Sequence, residues 1–390
     1  MGTVEVALDA IRCAFPRVAR ATLNAEVVSA CEKVQSLRGI LCQRSTGCVF
    51  GDVFERLSGV GDRPRGGQPT HGQISNALVA NSSPCAQHGG SCAVPRADIN
   101  VSGSSCRLWS RANKSKHKSM EHEDAQSFLA WARIIRHDKP PIVIHENVVG
   151  FDGGVLSEEL GGFFDFCRLE VSAADAGFGF IRRDRVYHVL SLRGVARMRD
   201  LPSIYEALAA GLANNASSWP TWVWRAESDE LECELALAWM SKRRRGGRNS
   251  LEEETWQNAL TEPQQGYLAI LSKQWQRKHG VAPDSSQRCV FDLGDSPLYK
   301  APGDGAMLPT LRKRSTPWWS PQRGRWMTPR EKAACMGFPV YPDLARAARV
   351  AVDEITGRDS TAASIGNAMH VASVGLVILA ALAAVEWPRR

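Results

Sequence analysis

Apolar residues in the first half of this chain come in short runs, each ending in a polar or glycine-containing segment. Ile142, Val143 and Ile144 form one such run after Pro140 and Pro141, and they predict a short buried strand. That strand leads directly into His145, Glu146, Asn147 and Val148, with Gly150 close behind. Asp98-Ile-Asn-Val-Ser-Gly-Ser-Ser-Cys106 predicts a second strand, running into a Gly/Ser turn that presents Cys106. Between the two lie a polar, basic stretch from Arg111 to Glu123 and a helix-like run from Ala125 to Ile135. The pattern is therefore strand, loop, helix, strand, the unit that builds parallel sheets.

Residues 1 to about 194 alternate strand and helix signals, with the polar stretches 61–97 and 107–123 read as loops. From about 195 the pattern loosens. A helix-like segment from Leu201 to Leu212 gives way to Trp219–Trp224, an acidic segment and the basic Ser241–Arg245. Trp256, Trp275, Trp318, Trp319 and Trp326 follow, either a core or a set of stacking surfaces. The apolar run Val371–Val385 falls short of the roughly 20 residues that a membrane span needs, and reads as a buried helix with no membrane role.

Candidate chemistry sits at the strand ends. Ligands of open α/β sheets bind outside the carboxyl ends of the strands, which is where Glu146 falls. Its alternative is a solvated strand-end acid. Cys106 is either a small buried residue or a reactive thiol on a turn between a strand and a basic loop. Cys85 is a rival nucleophile in Ser83-Pro84-Cys85-Ala-Gln87, but no strand-like run precedes it and it lies farther from Glu146. Cys85, His88 and Cys92 also form a Cys-x2-His-x3-Cys cluster. No fourth ligand stands at motif spacing, so the expectation is a loop insertion and no metal.

At 390 residues and 44% hydrophobic content the chain can bury a large core, in two lobes. A net charge of +7 suits a polyanionic partner. Eleven cysteines with no Cys-x-x-Cys pair, and no signal peptide, read as reduced intracellular thiols.

These residues resemble the cytosine-5 DNA methyltransferases, which use S-adenosylmethionine. Ser105-Cys106-Arg-Leu-Trp109-Ser110 is similar to the family's nucleophile motif, and Glu146-Asn147-Val148 matches its acid motif. Ala174–Gly177 and Arg183-Asp-Arg185 resemble the paired-arginine segment. Thr328–Pro339 resembles the support of the recognition lobe, and Ser364-Ile-Gly-Asn367 the terminal Gly-Asn motif. Upstream, Val27–Glu32 and Phe50-Gly-Asp52 resemble strands whose acids hold the cofactor's ribose and adenine.

The resemblance implies a doubly wound, Rossmann-like α/β sheet with a smaller, irregular target-recognition domain. The expected division is 1–194 catalytic, 195–339 target recognition and 340–390 a return to the catalytic domain. It implies covalent catalysis by Cys106, an acid at Glu146, and Arg183 and Arg185 supporting the base and Glu146. Glu32, Asp52 and Asn367 would bind S-adenosylmethionine. Arg107, Arg111, Lys114, Lys116 and Lys118 would close on a phosphate backbone. DNA is the expected partner, with RNA a second candidate because the same chemistry serves both. A monomer is expected, nuclear in a eukaryote and otherwise cytoplasmic.

Three departures stand out. The family's first strand and its glycine-rich turn have no counterpart, since Met1–Ile11 reads as the helix that should follow them. Ser105 replaces the proline before the nucleophile, and Ile181 replaces a glutamine. A catalytically inactive relative that binds nucleic acid is therefore the alternative expectation.

Overall fold

Alternation of strand and helix signals condenses into an α/β fold, described by a computed structural model for residues 2–19, 24–60, 69–110, 120–213, 223–244, 254–294, 296–297, 307–311, 317–348 and 365–387. Two compact units divide the chain. The first comprises 1–175, 184–212 and 369–390, and the second 176–183 and 213–368.

In the first unit, α1 (Thr3–Ala19) precedes β1 (Ser29–Cys31), α2 (Gln35–Arg44) and β2 (Cys48–Phe50). β1 and β2 are parallel, with Cys31 opposite Phe50. The stretch expected as a long loop instead holds α3 (His71–Asn76) and a hairpin of β3 (Ser82–Cys85) and β4 (Gly90–Ala93). Its alternating burial explains the error: Ser83 and Cys85 face inward while Ser82 and Pro84 face out, a two-residue period hidden by polar residue types. Together these strands make a sheet of order β1-β2-β3-β4.

A second four-stranded sheet carries the Glu146 strand. β5 (Ile99–Gly103) is followed by α4 (Gln126–Asp138) and then by β6 (Ile142–Val148), which lies parallel to β5. After α5 (Gly154–Leu160), β7 (Phe164–Val171) and β8 (Arg185–Leu192) complete the order β5-β6-β8-β7. The strand–helix–strand unit read from the sequence is thus present. Phe128, Leu129, Trp131, Ile134 and Ile135 of α4 are buried, each contributing about 1.5–3 kcal/mol relative to exposure. Lys139 ends the helix in the left-handed conformation (φ 46°), donating to the Ile135 carbonyl, and Pro140 prevents continuation.

The strands expected in one doubly wound sheet are divided between these two sheets, with β1 and β5 each at an edge. Among the described residues, no strand pairs with both. Later, β9 (Arg197–Met198) leads to α6 (Leu201–Ala213), whose Tyr205 hydroxyl donates to Asp175 at 2.7 Å.

The second unit begins with a short excursion. Ile181 bridges to Leu308, and the Arg182 N–H donates to the Leu308 carbonyl. Its helices are α7 (Ser228–Arg244), α8 (Trp256–Ala259) and α9 (Glu262–His279). A three-stranded sheet follows, of β10 (Phe291–Asp292), β11 (Trp318–Ser320) and β12 (Arg325–Trp326). Trp239, Trp275, Trp319 and Trp326 join one apolar cluster with Leu260, Leu271 and Phe291. In these tryptophans the core alternative prevails over exposed stacking surfaces.

Helix α10 (Pro329–Cys335) begins with a capping box, Thr328 accepting from the Glu331 N–H while Glu331 accepts from the Thr328 N–H. Buried Glu331 also forms a bidentate pair with Arg325, at 2.7 and 2.8 Å. Val340 and Tyr341 are buried beside α10: Arg330 donates to the Val340 carbonyl and stands 4.7 Å over the Tyr341 ring. This segment and α11 (Pro342–Ala348) thus pack with the second unit, whereas the sequence division returned residues from 340 onward to the first. Only from Met369 does the chain rejoin the first unit. There α12 (Val371–Ala384) lies against α1, since a Cβ on Gly375 would stand 3.6 Å from that of Ala7. Val374, Val377, Ile378, Ala380 and Ala381 of α12 are buried. After it, β13 (Val385–Glu386) pairs with β9.

Candidate active site

Register in the second sheet builds the site. Glu146 of β6 lies beside Gly103 of β5 and opposite Tyr187 of β8, while Arg185 lies opposite Val148. Glu146 and Arg185 are therefore diagonal neighbours on one face of the sheet. Arg185 Nε sits 3.0 Å from Glu146 Oε1, with side chains only 15% and 12% exposed. Gly103 makes room for the carboxylate: a Cβ there would stand 3.2 Å from Glu146 Oε2 and 3.1 Å from Met369 Cε.

Three residues beyond Gly103, Cys106 starts a turn whose carbonyl accepts from the Trp109 and Ser110 N–H groups. Leu108 and Trp109 are buried and fix the turn to the core. The Trp109 ring meets Phe151 edge to face at 5.2 Å. Gly150 is obligatory at this contact, because a Cβ there would fall 2.8 Å from the Trp109 carbonyl oxygen. The residues before the thiol are tied to β6 as well. Asn147 Nδ2 donates to Ser104 Oγ at 3.1 Å, and Ser104 Oγ shares a 2.9 Å hydrogen bond with His145 Nε2. Neighbours on the two sides of Cys106 are thus held to the strand that carries Glu146 and to the segment directly after it.

His145 is fully buried beside Trp131, Phe128 and Phe151. Burial, with the neighbouring His188 adding to it, pushes its pKa down to about 3, so the ring is neutral. Its place is in the framework of the site. Sequence reasoning missed His145, Ser104 and Gly103 as participants, although all three flank the residues it singled out.

The two arginines separate. Chain 184 onward belongs to the first unit, and Arg185 meets Glu146 there. Arg183 belongs to the second unit, is buried, and donates to the Leu311, Gly366 and Ala368 carbonyls. Two of those carbonyls flank Asn367, whose side chain is exposed. Arg183 is thus a clamp on the Gly-Asn segment, in place of the expected partner of Glu146.

Glu32 and Asp52 leave the carboxyl ends of neighbouring parallel strands, β1 and β2. Glu32 Oε1 accepts from the Val34 N–H at 2.8 Å. Asp52 accepts from the Phe54 N–H and pairs with Lys33 at 2.8 Å. Each carboxylate has acceptor capacity beyond these bonds. Of the expected backbone contacts, Arg107 is exposed and pairs with Asp124 at 3.2 Å. Arg111, Lys114, Lys116 and Lys118 lie outside the described residues. In the basic turn at the end of α7, Lys242 donates to the Asn258 carbonyl and Arg243 pairs with Glu254. Arg245 lies outside the described residues.

Cys85, the rival nucleophile, is buried on β3. Burial raises its thiol pKa, but hydrogen bonds from the backbone of His88, Val49 and Gln87 bring it down to about 7. It stands in the other sheet from Glu146.

Fold and site together define an α/β protein with a carboxylate–arginine pair across two adjacent strands, towards the carboxyl end of one of them, and a thiol on the turn after a third. Solved structures to which this chain is similar include three methyltransferases. The Dnmt2 methyltransferase of S. pombe is 13% identical with a TM-score of 0.43, covering 98% of this chain and 95% of that one. A putative DNA modification methyltransferase encoded within an E. coli prophage is 16% identical with a TM-score of 0.47, covering 98% and 96%. The Entamoeba histolytica methyltransferase EhMeth is 15% identical with a TM-score of 0.38, covering 73% and 77%. No family model matches the chain, and no curated protein does.

Proposed function

We propose that this protein transfers a methyl group to carbon 5 of cytosine in DNA, with Cys106 as nucleophile. The observation that carries this reading is the Glu146–Arg185 pair on the strand to which the Cys106 turn is fastened. Carbon 5 of cytosine is a poor nucleophile within an aromatic ring. Addition of the Cys106 thiolate at carbon 6 breaks the aromaticity and makes carbon 5 enamine-like. Glu146 then holds a proton at ring nitrogen 3, offsetting the charge that develops there, and Arg185 keeps Glu146 in place while facing the ring's carbonyl oxygen. After methyl transfer, loss of the carbon 5 proton expels Cys106 and restores the ring. The target carbon is inaccessible in a duplex, so the base must leave the stack.

S-adenosylmethionine, when bound, supplies the electrophilic methyl group. Glu32 and Asp52 fit its polar half, because two carboxylates at adjacent parallel strand ends can accept from ribose hydroxyls and from the adenine amino group.

Covalent trapping tests the reading. The full chain is incubated with S-adenosylmethionine and a DNA oligonucleotide carrying 5-fluorocytosine. An adduct that resists denaturation and vanishes in Cys106→Ala is expected. An adduct that survives in Cys106→Ala but is lost in Cys85→Ala transfers the role to Cys85. A second reading, nucleic-acid binding without turnover, draws on Ser105, which stands where the resembled nucleophile motif has a proline that stiffens the turn. Tight oligonucleotide binding with no adduct would select it, and an adduct only with an RNA oligonucleotide would replace DNA by RNA.

A further inference from the structure

Four side chains of the first unit converge at a place the proposed reaction does not use. The sulfurs of Cys48, Cys85 and Cys92 and a ring nitrogen of His88 all lie within 4.8 Å of one another. Nδ1 of His88 is 3.4 Å from the Cys85 sulfur, 3.4 Å from that of Cys92 and 3.8 Å from that of Cys48.

Strand pairing accounts for the convergence. Phe50 of β2 stands opposite Cys85 of β3, so Cys48, two residues earlier, projects from the same side of the sheet as Cys85. In the hairpin Cys85 pairs with Gly90 and Ser83 with Cys92, which puts Cys92 on that side too. His88 lies on the turn between the strands, where Gly89 takes the left-handed conformation (φ 71°) and its N–H donates to the Cys85 carbonyl.

Three thiols around one imidazole nitrogen make a poor hydrogen-bonded cluster. Nδ1 offers at most one lone pair or one proton, and so serves one sulfur well. A cation serves all four at once. Tetrahedral coordination with metal–sulfur bonds of about 2.3 Å and a metal–nitrogen bond of about 2.0 Å implies sulfur–nitrogen separations of roughly 3.5 Å. The observed separations bracket that value.

We propose that Cys48, Cys85, His88 and Cys92 form a structural site for a divalent thiophilic cation, zinc before others. Thiolate and imidazole donors select zinc over harder cations. Four protein ligands close the coordination shell, which suits a structural role rather than a catalytic one. The metal would staple the β3–β4 hairpin to β2, the strand that delivers Asp52 two residues past Phe50. This proposal departs from the sequence expectation of a loop insertion without metal. Its missing fourth ligand is Cys48, which no motif spacing reveals because strand pairing alone brings it to the hairpin.

The test is metal content and ligand count of the full chain. After equilibration with zinc and removal of excess, elemental analysis should find about one zinc per chain. Replacement by cobalt should produce the strong near-ultraviolet absorption of thiolate–cobalt bonds, with an intensity that counts three sulfurs. Cys48→Ser should lose most of the zinc, whereas Cys31→Ser on the adjacent strand should keep it. The cobalt spectrum of the unsubstituted chain decides the matter even if Cys48→Ser does not fold. A chain that takes up no zinc and shows no thiolate–cobalt absorption overturns the proposal. So does full zinc retention in Cys48→Ser, or a disulfide among Cys48, Cys85 and Cys92 in the freshly purified protein.

Discussion

Arg185 Nε lies 3.0 Å from Glu146 Oε1, across two antiparallel strands and almost out of contact with solvent. Taking one partner away strands the other charge in a poorly solvated place, which costs more than the pair itself contributes. Arg185→Gln should therefore destabilise the fold by on the order of 3 kcal/mol in urea unfolding. Glu146→Gln combined with Arg185→Gln should cost less than the two single changes summed, the mark of a direct coupling. Additive costs would show that the two side chains do not share a pair in solution.

Glu146→Gln alone addresses chemistry. The amide keeps the shape of the side chain but cannot exchange a proton with a ring nitrogen. Oligonucleotide affinity should change little, while methyl transfer slows by on the order of 10²–10⁴. The rate is read from single-turnover incorporation of labelled methyl groups, and unchanged turnover removes Glu146 from the mechanism.

Ser104 joins the turn of Cys106 to two residues of β6, His145 and Asn147. Ser104→Ala leaves both without this partner, at a cost of about 1–3 kcal/mol. Formation of the 5-fluorocytosine adduct should slow by roughly tenfold with oligonucleotide affinity unaltered, because a loosened turn misplaces the thiol. Equal slowing of adduct formation by unrelated substitutions of similar stability cost would refute the positioning role.

Acid should weaken the fold through its buried imidazoles. Burial lowers His145 to about 3, and burial together with Arg168 lowers His188 to about 4. Both pKa values lie below the unfolded value near 6.5, so the stability is fully present above about pH 6.5. It is lost as the pH falls from there towards 4 and 3, since only the unfolded chain accepts the protons. His145 alone should remove about 2 kcal/mol by pH 5. Urea midpoints measured from pH 7.5 to 5 should fall accordingly, and His145→Phe should flatten the curve.

Local pattern determined the β5–α4–β6 unit. The β-branched run of Ile142, Val143 and Ile144, bounded by prolines and a polar segment, favours a strand, and the periodic apolar face from Ala125 to Ile135 favours a helix. The same run placed Glu146 towards the carboxyl end of the strand, and the structure carries β6 through it to Val148. Where each side chain contributes a local signal, sequence was enough. Pairing between distant segments carries no such signal, and there the tertiary structure decided. It put Arg185 beside Glu146 while committing Arg183, two residues earlier, to carbonyls of the other unit. It buried Trp239, Trp275, Trp319 and Trp326 in one cluster of the second unit, and it moved residues 340–348 into that unit. It also brought Cys48 to Cys85, His88 and Cys92, because the register of β2 against β3 fixes which side of the sheet each sulfur occupies. Strand register is set by the packing of whole faces, so no single segment of the chain could have announced it.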